Sequence, residues 1–328
     1  MSPTLAELTE AELLRRLARF APPDQLSDDT AALAADARPL LINTDVLVDG
    51  IHFSDATTSA MDVGWRAVAA NLSDLAASGA VEIEGITVAL VAPGCTRWDW
   101  VDGVYEGISA ALGQYGGILL GGDCSRGEQR LLSITALGRL GPLRLHRNAA
   151  RPGDVLVSSG PHGLSRLGLA LLQNDPSVRD SALTATLKDT AIARHRRPTP
   201  RLDDVHQLLD CKPEHLPWRA GGTDSSDGLL SAVAGLCSSS GCGALLWNDR
   251  LPMAEGWPEG PQWTDWCLSG GEDFELVLSL PEAWADVWQQ CVPNSRRFGQ
   301  INDEADIIRW AHNHERVEAG GFDHFSQP

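Results

Sequence analysis

NTDVLVDGIHF, residues 43–53, follows a mainly apolar run from Pro39 to Ile42. We interpret the two together as a short β-strand that ends at Thr44 and Asp45, with His52 in the loop that follows. A hydroxyl and a carboxylate at a strand end are oxygen ligands of the kind that a hard divalent cation prefers. Asp is also common in turns, so Asp45 could simply begin one. The stretch predicts a strand, and the role of Asp45 has to be judged from other motifs along the chain.

Acidic residues recur at the ends of other predicted elements. In SDDTAAL, residues 27–33, two adjacent carboxylates repel each other unless they face solvent or share a cation. LLGGDCSRG (119–127) and LSGGEDFEL (268–276) place acids at a Gly-Gly turn, and GGTDSSDGLL (221–230) places two Asp before a helix. Helix capping by Ser226 or Asp227 explains one Asp of the last pair but not both. This recurrence favours a shared metal site.

Residues 59–79 are predicted to form a buried helix. Its apolar stripe consists of Met61, Trp65, Val68, Leu72 and Leu75. Asp74 is the one charged residue between positions 67 and 81. An Asp on so apolar a helix is rare unless it is paired or bound to a metal ion. We therefore interpret Asp74 as a second candidate ligand.

The composition limits the classes of partner. The chain has 328 residues, 43% of them hydrophobic, and a formal net charge of −18, which argues against nucleic acid as a partner. A phosphorylated small molecule bound through metal ions remains compatible with that charge. Seven irregularly spaced cysteines indicate reduced thiols, and neither a membrane span nor a secretory signal is apparent. We therefore expect a cytoplasmic protein.

The chain divides after a basic segment that contains Arg144 and Arg147. Pro152-Gly153-Asp154 is a typical boundary, so we predict domains at residues 1–150 and 151–328. No P-loop motif and no nucleophile elbow occur in the sequence. Several carboxylates with one or two Arg suit Mg²⁺ ions bound to a nucleotide, because phosphoryl transfer needs mainly positioning and charge neutralisation.

Nine motifs in this order resemble the thiamine-monophosphate kinase family, within the aminoimidazole ribonucleotide synthetase-like superfamily. They are SDDTAAL, NTDVLVDGIHF, NLSDLAASGA, LLGGDCSRG, RPGDVLVSSG, RHRRPTPR, DSSDGLL, LSGGEDFEL and GFDHF. The resemblance runs from Asp28 to Phe325. It implies a mixed α/β fold of two domains, with ATP bound near a homodimer interface formed by the N-terminal sheets. It also implies direct, Mg²⁺-dependent transfer of phosphate from ATP to thiamine phosphate, the last step in making thiamine diphosphate.

The same resemblance implies roles for individual positions. The implied Mg²⁺ ligands are Asp29, Asn43, Thr44, Asp45, Asp74, Asp123, Asp224 and Asp227. The implied nucleotide contacts are Tyr105, Gly122, Asp123, Arg147 and Ser226. The implied thiamine-phosphate contacts are His52, Glu272 and Phe322. Among these, we assign Asp45, Asp123 and Arg147 to catalysis, with Arg147 stabilising the charge that develops on the transferred phosphoryl group.

Three departures from the family pattern concern the metal and nucleotide positions. Ser27 stands where the family has Gly, Asn43 where it often has Ser or Thr, and Cys124-Ser125 where Thr-Thr is commoner. Two rival interpretations remain. One is a non-catalytic protein that binds a nucleotide or thiamine phosphate, and the other is a different ATP-using activity of the same superfamily.

Overall fold

The computed structural model describes residues 2–26, 29–179 and 181–317. These residues form two compact units, the first within the ranges 1–75 and 80–140 and the second within the ranges 76–79 and 141–328. The expected mixed α/β fold is confirmed, since each unit contains one sheet with helices. The domain boundary at residue 150 stays a prediction. No described helix is long and apolar enough to cross a membrane.

The first unit is built on a four-stranded sheet of order β1-β4-β2-β3. Its strands are β1 (Leu40–Val48), β2 (Ala80–Ala92), β3 (Ile118–Arg126) and β4 (Leu131–Leu140), and its helices are α1 (Glu10–Leu17), α2 (Ala60–Ala77) and α3 (Trp98–Tyr115). Strand β4 pairs antiparallel with β1 and β2, and β3 runs parallel to β2. Side chains of β4 alternate in burial, which is the pattern of a sheet with one covered face.

The second unit is built on a six-stranded sheet of order β10-β7-β9-β5-β8-β6. Its strands are β5 (Val155–Ser158), β6 (Gly221–Asp224), β7 (Gly243–Leu246), β8 (Leu276–Leu280), β9 (Arg296–Asn302) and β10 (Ile308–Trp310). Its helices are α4 (Leu164–Leu172), α5 (Ala185–Arg196), α6 (Leu202–Asp210), α7 (Leu229–Ser240), α8 (Pro261–Ser269) and α9 (Glu282–Cys291). Strands β5 and β8 are buried along their whole length, so this sheet lies inside the unit.

Several predicted features are confirmed. Helix α2 lies within the predicted range of residues 59–79. The hydroxyl of Thr9 caps α1 by accepting from the backbone N–H of Glu12, three residues further on. Trp65, Val68, Leu72 and Leu75 are buried as expected, whereas Met61 at the start of the stripe is 37% exposed.

Two acids that the sequence placed at strand ends lie inside strands instead. Asp45 is the sixth residue of β1, and Asp123 the sixth of β3. The turn propensity of Asp and Gly is overridden because β1 pairs with β4, and β3 with β2, through those positions. Gly221 and Gly222 likewise lie in β6, and Gly228, not Ser226 or Asp227, is the residue that precedes α7.

Candidate active site

In the first unit, a buried amide joins two of the predicted metal ligands. Asn71 of α2 is fully buried, and its side-chain NH₂ donates to the carbonyl oxygen of Ala67 at 2.9 Å. That bond turns the side-chain oxygen of Asn71 toward β1, where it accepts from the side-chain NH₂ of Asn43 and from the backbone N–H of Asp45, both at 3.2 Å. Asn71 therefore fixes the position of β1 against α2 at the predicted site.

The orientation of Asn43 is set by the two hydrogen bonds of its NH₂ group. Its NH₂ donates to Asn71 and also to a carboxylate oxygen of Asp74 at 3.0 Å. Its own oxygen Oδ1 is buried and has no hydrogen-bond partner among the described residues. A buried amide oxygen normally accepts a hydrogen bond or coordinates a cation, because leaving it unsatisfied costs ~1–3 kcal/mol. The Asn at this position thus offers an amide oxygen that can coordinate a cation, where the family pattern often has a hydroxyl.

The neighbouring residue on β1, Thr44, points the other way. It is exposed, and its hydroxyl lies 2.8 Å from the hydroxyl of Thr135, its partner on β4. Alternation along a strand places Asn43 and Asp45 on one face and Thr44 on the other. The adjacent positions 43, 44 and 45 therefore do not face one common point within this sheet.

On β3, Gly122 and Asp123 occupy a stretch that closely contacts β2. A Cβ atom at Gly122 would lie 2.0 Å from the carbonyl oxygen of Val88, so glycine is required there by the sheet itself. The carboxylate of Asp123 is exposed and accepts from the hydroxyl of Ser125 at 2.8 Å. Tyr105, by contrast, is 3% exposed, its ring lies 5.5 Å from that of Phe20, and burial raises the pKa of its hydroxyl.

The loop that carries His52 is held by Arg130. The guanidinium donates to Asp49 at 2.7 Å and to both carboxylate oxygens of Asp55 at 2.9 and 3.0 Å. It also lies 4.7 Å from the ring of Trp100, within cation–π distance. His52 itself accepts the backbone N–H of Val48 through Nδ1 at 3.0 Å, so a neutral ring carries its proton on Nε2.

The second unit gathers five of the predicted residues at the end of β6. Arg147 donates to the hydroxyl of Thr223 at 3.0 Å. The next residue, Asp224, is 5% exposed and accepts from the hydroxyl of Ser226 at 3.1 Å. The backbone oxygen of Ser226 accepts from the backbone N–H of Glu272 at 2.6 Å. Asp227 is exposed in the same loop.

Glu272 has a left-handed backbone. Its φ is 57°, and Phe274 two residues later has a φ of 52°. Such conformations cost ~1–3 kcal/mol in residues other than glycine and persist only where the surroundings impose them. Strain of this kind marks the loop as a candidate part of the functional site.

The structure thus joins Asn43, Asp45 and Asp74 in the first unit, and Arg147, Asp224, Ser226 and Glu272 in the second. Among the described residues, no group of three or more His, Cys, Asp or Glu side chains is gathered to hold a metal ion. Phe322, Ser27 and Asp28 lie outside the described residues, and the roles of all the predicted residues stay predictions. Sequence reasoning missed Arg130, Arg201 and Glu275 as supports, although RHRRPTPR and GGEDFEL contain two of them.

Comparison with known families defines the class of this protein. A family model described as AIR synthase related protein, N-terminal domain, matches residues 27–140. That range contains β1 to β4, together with the cluster around Asn71. The first unit therefore has the fold of the AIR synthase-related class.

Proteins that match this chain over its whole length identify a narrower family. A thiamine-monophosphate kinase of Prochlorococcus marinus is 51% identical over 324 residues, which cover 98% of this chain and 97% of the relative. A crystal structure of thiamine-monophosphate kinase from Stenotrophomonas maltophilia K279a superposes with a TM-score of 0.76 at 29% identity, covering 96% of this chain and 99% of that one. A structure described as AaThiL complexed with AMPPCP and TMP gives a TM-score of 0.75 at 27% identity, covering 98% of both chains. This chain belongs to the thiamine-monophosphate kinase family.

Proposed function

We propose that this protein transfers the γ-phosphoryl group of ATP to the phosphate of thiamine phosphate, giving thiamine diphosphate and ADP. The observation that carries the proposal is 51% identity over 98% of the chain to a thiamine-monophosphate kinase. A relative of the same fold has been solved with AMPPCP and TMP. AMPPCP is an ATP analogue whose β,γ bridge cannot be cleaved, so the pair represents a donor and an acceptor.

The donor atoms fit magnesium. Asn43 offers a buried oxygen without a hydrogen-bond partner among the described residues, and the nearby Asp45 and Asp74 add carboxylates. Mg²⁺ is typically held by one or two carboxylates together with waters and substrate phosphates, so three clustered acids are not needed. When bound, Mg²⁺ would neutralise phosphate charge. The proposed ligands are Asp29, Asn43, Thr44, Asp45, Asp74, Asp123, Asp224 and Asp227.

Further residues would bind and orient the reactants. Arg147 is fixed at its Nε by Thr223, which leaves the terminal nitrogens of its planar guanidinium for phosphate oxygens. We propose Tyr105, Gly122, Asp123, Arg147 and Ser226 as nucleotide contacts. We propose His52, Glu272 and Phe322 as thiamine-phosphate contacts. Glu272 would accept hydrogen bonds from the aminopyrimidine of thiamine.

No general base is required. The second pKa of a phosphate monoester is about 6, so the acceptor is largely ionised at neutral pH and attacks without losing a proton. The contribution of the protein is then positioning and charge stabilisation in an in-line transfer. Arg147 would stabilise the charge on the transferred group.

A direct assay tests the proposal. The purified protein, ATP, Mg²⁺ and thiamine phosphate should yield equal amounts of ADP and thiamine diphosphate. Asp45→Asn and Asp123→Asn should each lose most of the turnover while the fold is retained. Asp36→Asn is a matched control, since this acid lies in the same unit and bonds to the exposed Arg38. Near-normal turnover by either site variant would contradict the metal assignment.

The assay also separates the rival functions. Binding of thiamine phosphate without formation of ADP would indicate a non-catalytic binding protein. ADP formation only with another acceptor would indicate a different activity of the AIR synthase-related class. Neither rival has an observation in its favour that the kinase lacks.

We further propose a cytoplasmic homodimer that forms through the first sheet. Leu40, Ile42 and Val46 of β1, an edge strand, are 43%, 66% and 40% exposed. Contiguous apolar side chains on an exposed sheet face are typical of an interface. The cysteines are all free, as is usual in a reducing compartment.

A further inference from the structure

The loop between α8 and β8 contains three acids within four residues, and two of them face inward. Asp273 is 6% exposed and Glu275 is 1% exposed, whereas Glu272 is partly exposed. Buried carboxylates require partners, because burial without hydrogen bonds or opposite charge is costly. The partners of Asp273 and Glu275 show what holds this loop.

Asp273 attaches the loop to the beginning of α4. Its carboxylate accepts the backbone N–H of Gly163 at 2.6 Å and that of Ser165 at 2.9 Å. These N–H groups are among those that a helix start leaves without an intrahelical acceptor. A carboxylate is also favoured there by the helix dipole. One side of the loop is thereby fixed to a packed helix.

Glu275 attaches the other side of the loop. It forms an ion pair with Arg201, the residue that precedes α6, and it accepts the hydroxyl of Ser159 at 2.5 Å. Gly160 leaves the space for this carboxylate, since a Cβ there would lie 2.7 Å from both of its oxygens. The side chain of Arg201 is 14% exposed, so the ion pair is shielded from water.

The same loop is bonded to the one that carries Asp224 and Asp227. The backbone N–H of Glu275 donates to the hydroxyl of Ser225 at 3.1 Å, and that of Glu272 donates to the backbone oxygen of Ser226 at 2.6 Å. Glu272 and Phe274 alternate with the two inward acids, and both have a positive φ. The two inward acids, Asp273 and Glu275, therefore alternate with the residues whose backbone is strained.

We propose that Arg201, acting through Glu275, is a positioning residue for thiamine phosphate. By fixing residues 271–275 in the path that gives Gly271, Glu272 and Phe274 a positive φ, the ion pair sets the direction of Glu272 and its distance from the loop at 224–227. This inference rests on the proposed kinase function. Arg201 does not touch substrate; it acts through the backbone that presents Glu272.

The test compares two buried Arg–acid pairs in the second unit. Arg201→Met should raise the KM for thiamine phosphate at least tenfold and leave the KM for ATP within about twofold. Arg219→Met is the matched control, because Arg219 pairs with the buried Asp154 at 2.6 Å and its hydrogen bonds go to Ala149 and Asp154, not to residues 271–275. It should lose stability without changing the KM for thiamine phosphate. Equal effects of both variants on the KM for thiamine phosphate would overturn the proposal.

A double variant separates positioning from stability. Arg201→Met leaves the charge of Glu275 buried and uncompensated, whereas Arg201→Met with Glu275→Leu removes the charges of that pair. The double variant should regain part of the stability, since Asp204, 3.8 Å from Arg201, still lacks its cation. The KM for thiamine phosphate should stay high, because the link from α6 to the loop is still absent. A KM that recovers together with the melting temperature would overturn the proposal. Arg201→Lys keeps the charge but not the planar guanidinium, so its KM for thiamine phosphate should lie between those of wild type and Arg201→Met.

Amide hydrogen exchange gives a readout that does not depend on turnover. Arg201→Met should accelerate exchange at Glu272 and Glu275, whose N–H groups bond to the neighbouring loop, and Arg219→Met should not. If wild type makes no thiamine diphosphate, the proposed function fails and the substrate role of Arg201 fails with it. If wild type is active and Arg201→Met shows neither faster exchange nor a raised KM, this inference alone fails.

Discussion

Replacing Gly122 by Ala should destabilise the first unit, because the close contact in its sheet leaves no room for a methyl group. The added Cβ would lie 2.0 Å from the carbonyl oxygen of Val88 and 2.9 Å from its carbonyl carbon, against 3.4 Å or more for ordinary contact. Relief requires the parallel β2–β3 ladder to open by more than an ångström, since the obstructing atoms are backbone and cannot change rotamer. The two strands would separate next to Asp123.

The expected loss of stability in Gly122→Ala follows from the cost of overpacking. Inserting a methyl group into a well-packed region costs ~1–3 kcal/mol, and an obstacle made of backbone places this change near the upper end, at about 3 kcal/mol. For a unit of this size each kcal/mol lowers the melting temperature by ~2–4 °C, so the loss should be ~6–12 °C. Because Asp123 is the next residue, the KM for ATP should also rise.

The neighbouring glycine is a matched control. A Cβ at Gly121 meets nothing within 4 Å, so Gly121→Ala should melt within about 2 °C of wild type. Differential scanning calorimetry of both variants, with ATP titrations at saturating thiamine phosphate, measures the two effects. Equal melting temperatures for Gly122→Ala and Gly121→Ala would refute the steric argument. A normal melting temperature with a raised KM for ATP would instead show that Gly122 serves the nucleotide directly.

Three other predictions concern the remaining features of the site. Arg130→Met removes the hydrogen bonds to Asp49 and Asp55 that hold the loop of His52, so the KM for thiamine phosphate should rise in steady-state kinetics. Arg38→Met, which removes an ion pair on the surface of the same unit, should leave that KM unchanged. Burial raises the pKa of Asp273 to about 7 from an ordinary 3.8, so its protonation favours folding at low pH and this contribution is lost as the pH rises from about 4 to 7. Asp273→Asn should therefore gain stability relative to wild type as the pH rises from about 4 to 7 in urea titrations, and a constant difference would contradict the assignment. Ile42→Glu should shift the mass measured by light scattering from dimer to monomer, and an unchanged mass would exclude β1 from the interface.

Local patterns in the sequence determined several features of this protein. The helical spacing of apolar residues located α2, because that signal arises from residues three and four positions apart. The ordered motifs indicated the thiamine-monophosphate kinase family, which identity to a full-length relative confirms. The acidic residues beside Gly-Gly pairs were recognised as candidates from type and spacing alone.

Only the tertiary structure decided how these residues are held. Asp45 and Asp123 lie inside strands because partners far along the chain complete the ladders, and no local signal contains that pairing. The orientation of Asn43 depends on Asn71, 28 residues away, and the loop of Glu272 depends on Arg201, whose partner Glu275 is 74 residues away. Such contacts form only when the chain folds, since burial both brings the groups together and makes their pairing necessary. For NTDVLVDGIHF, the sequence identified the ligand types, and the fold decided that Asn43 and Asp45 share a face while Thr44 lies on the other.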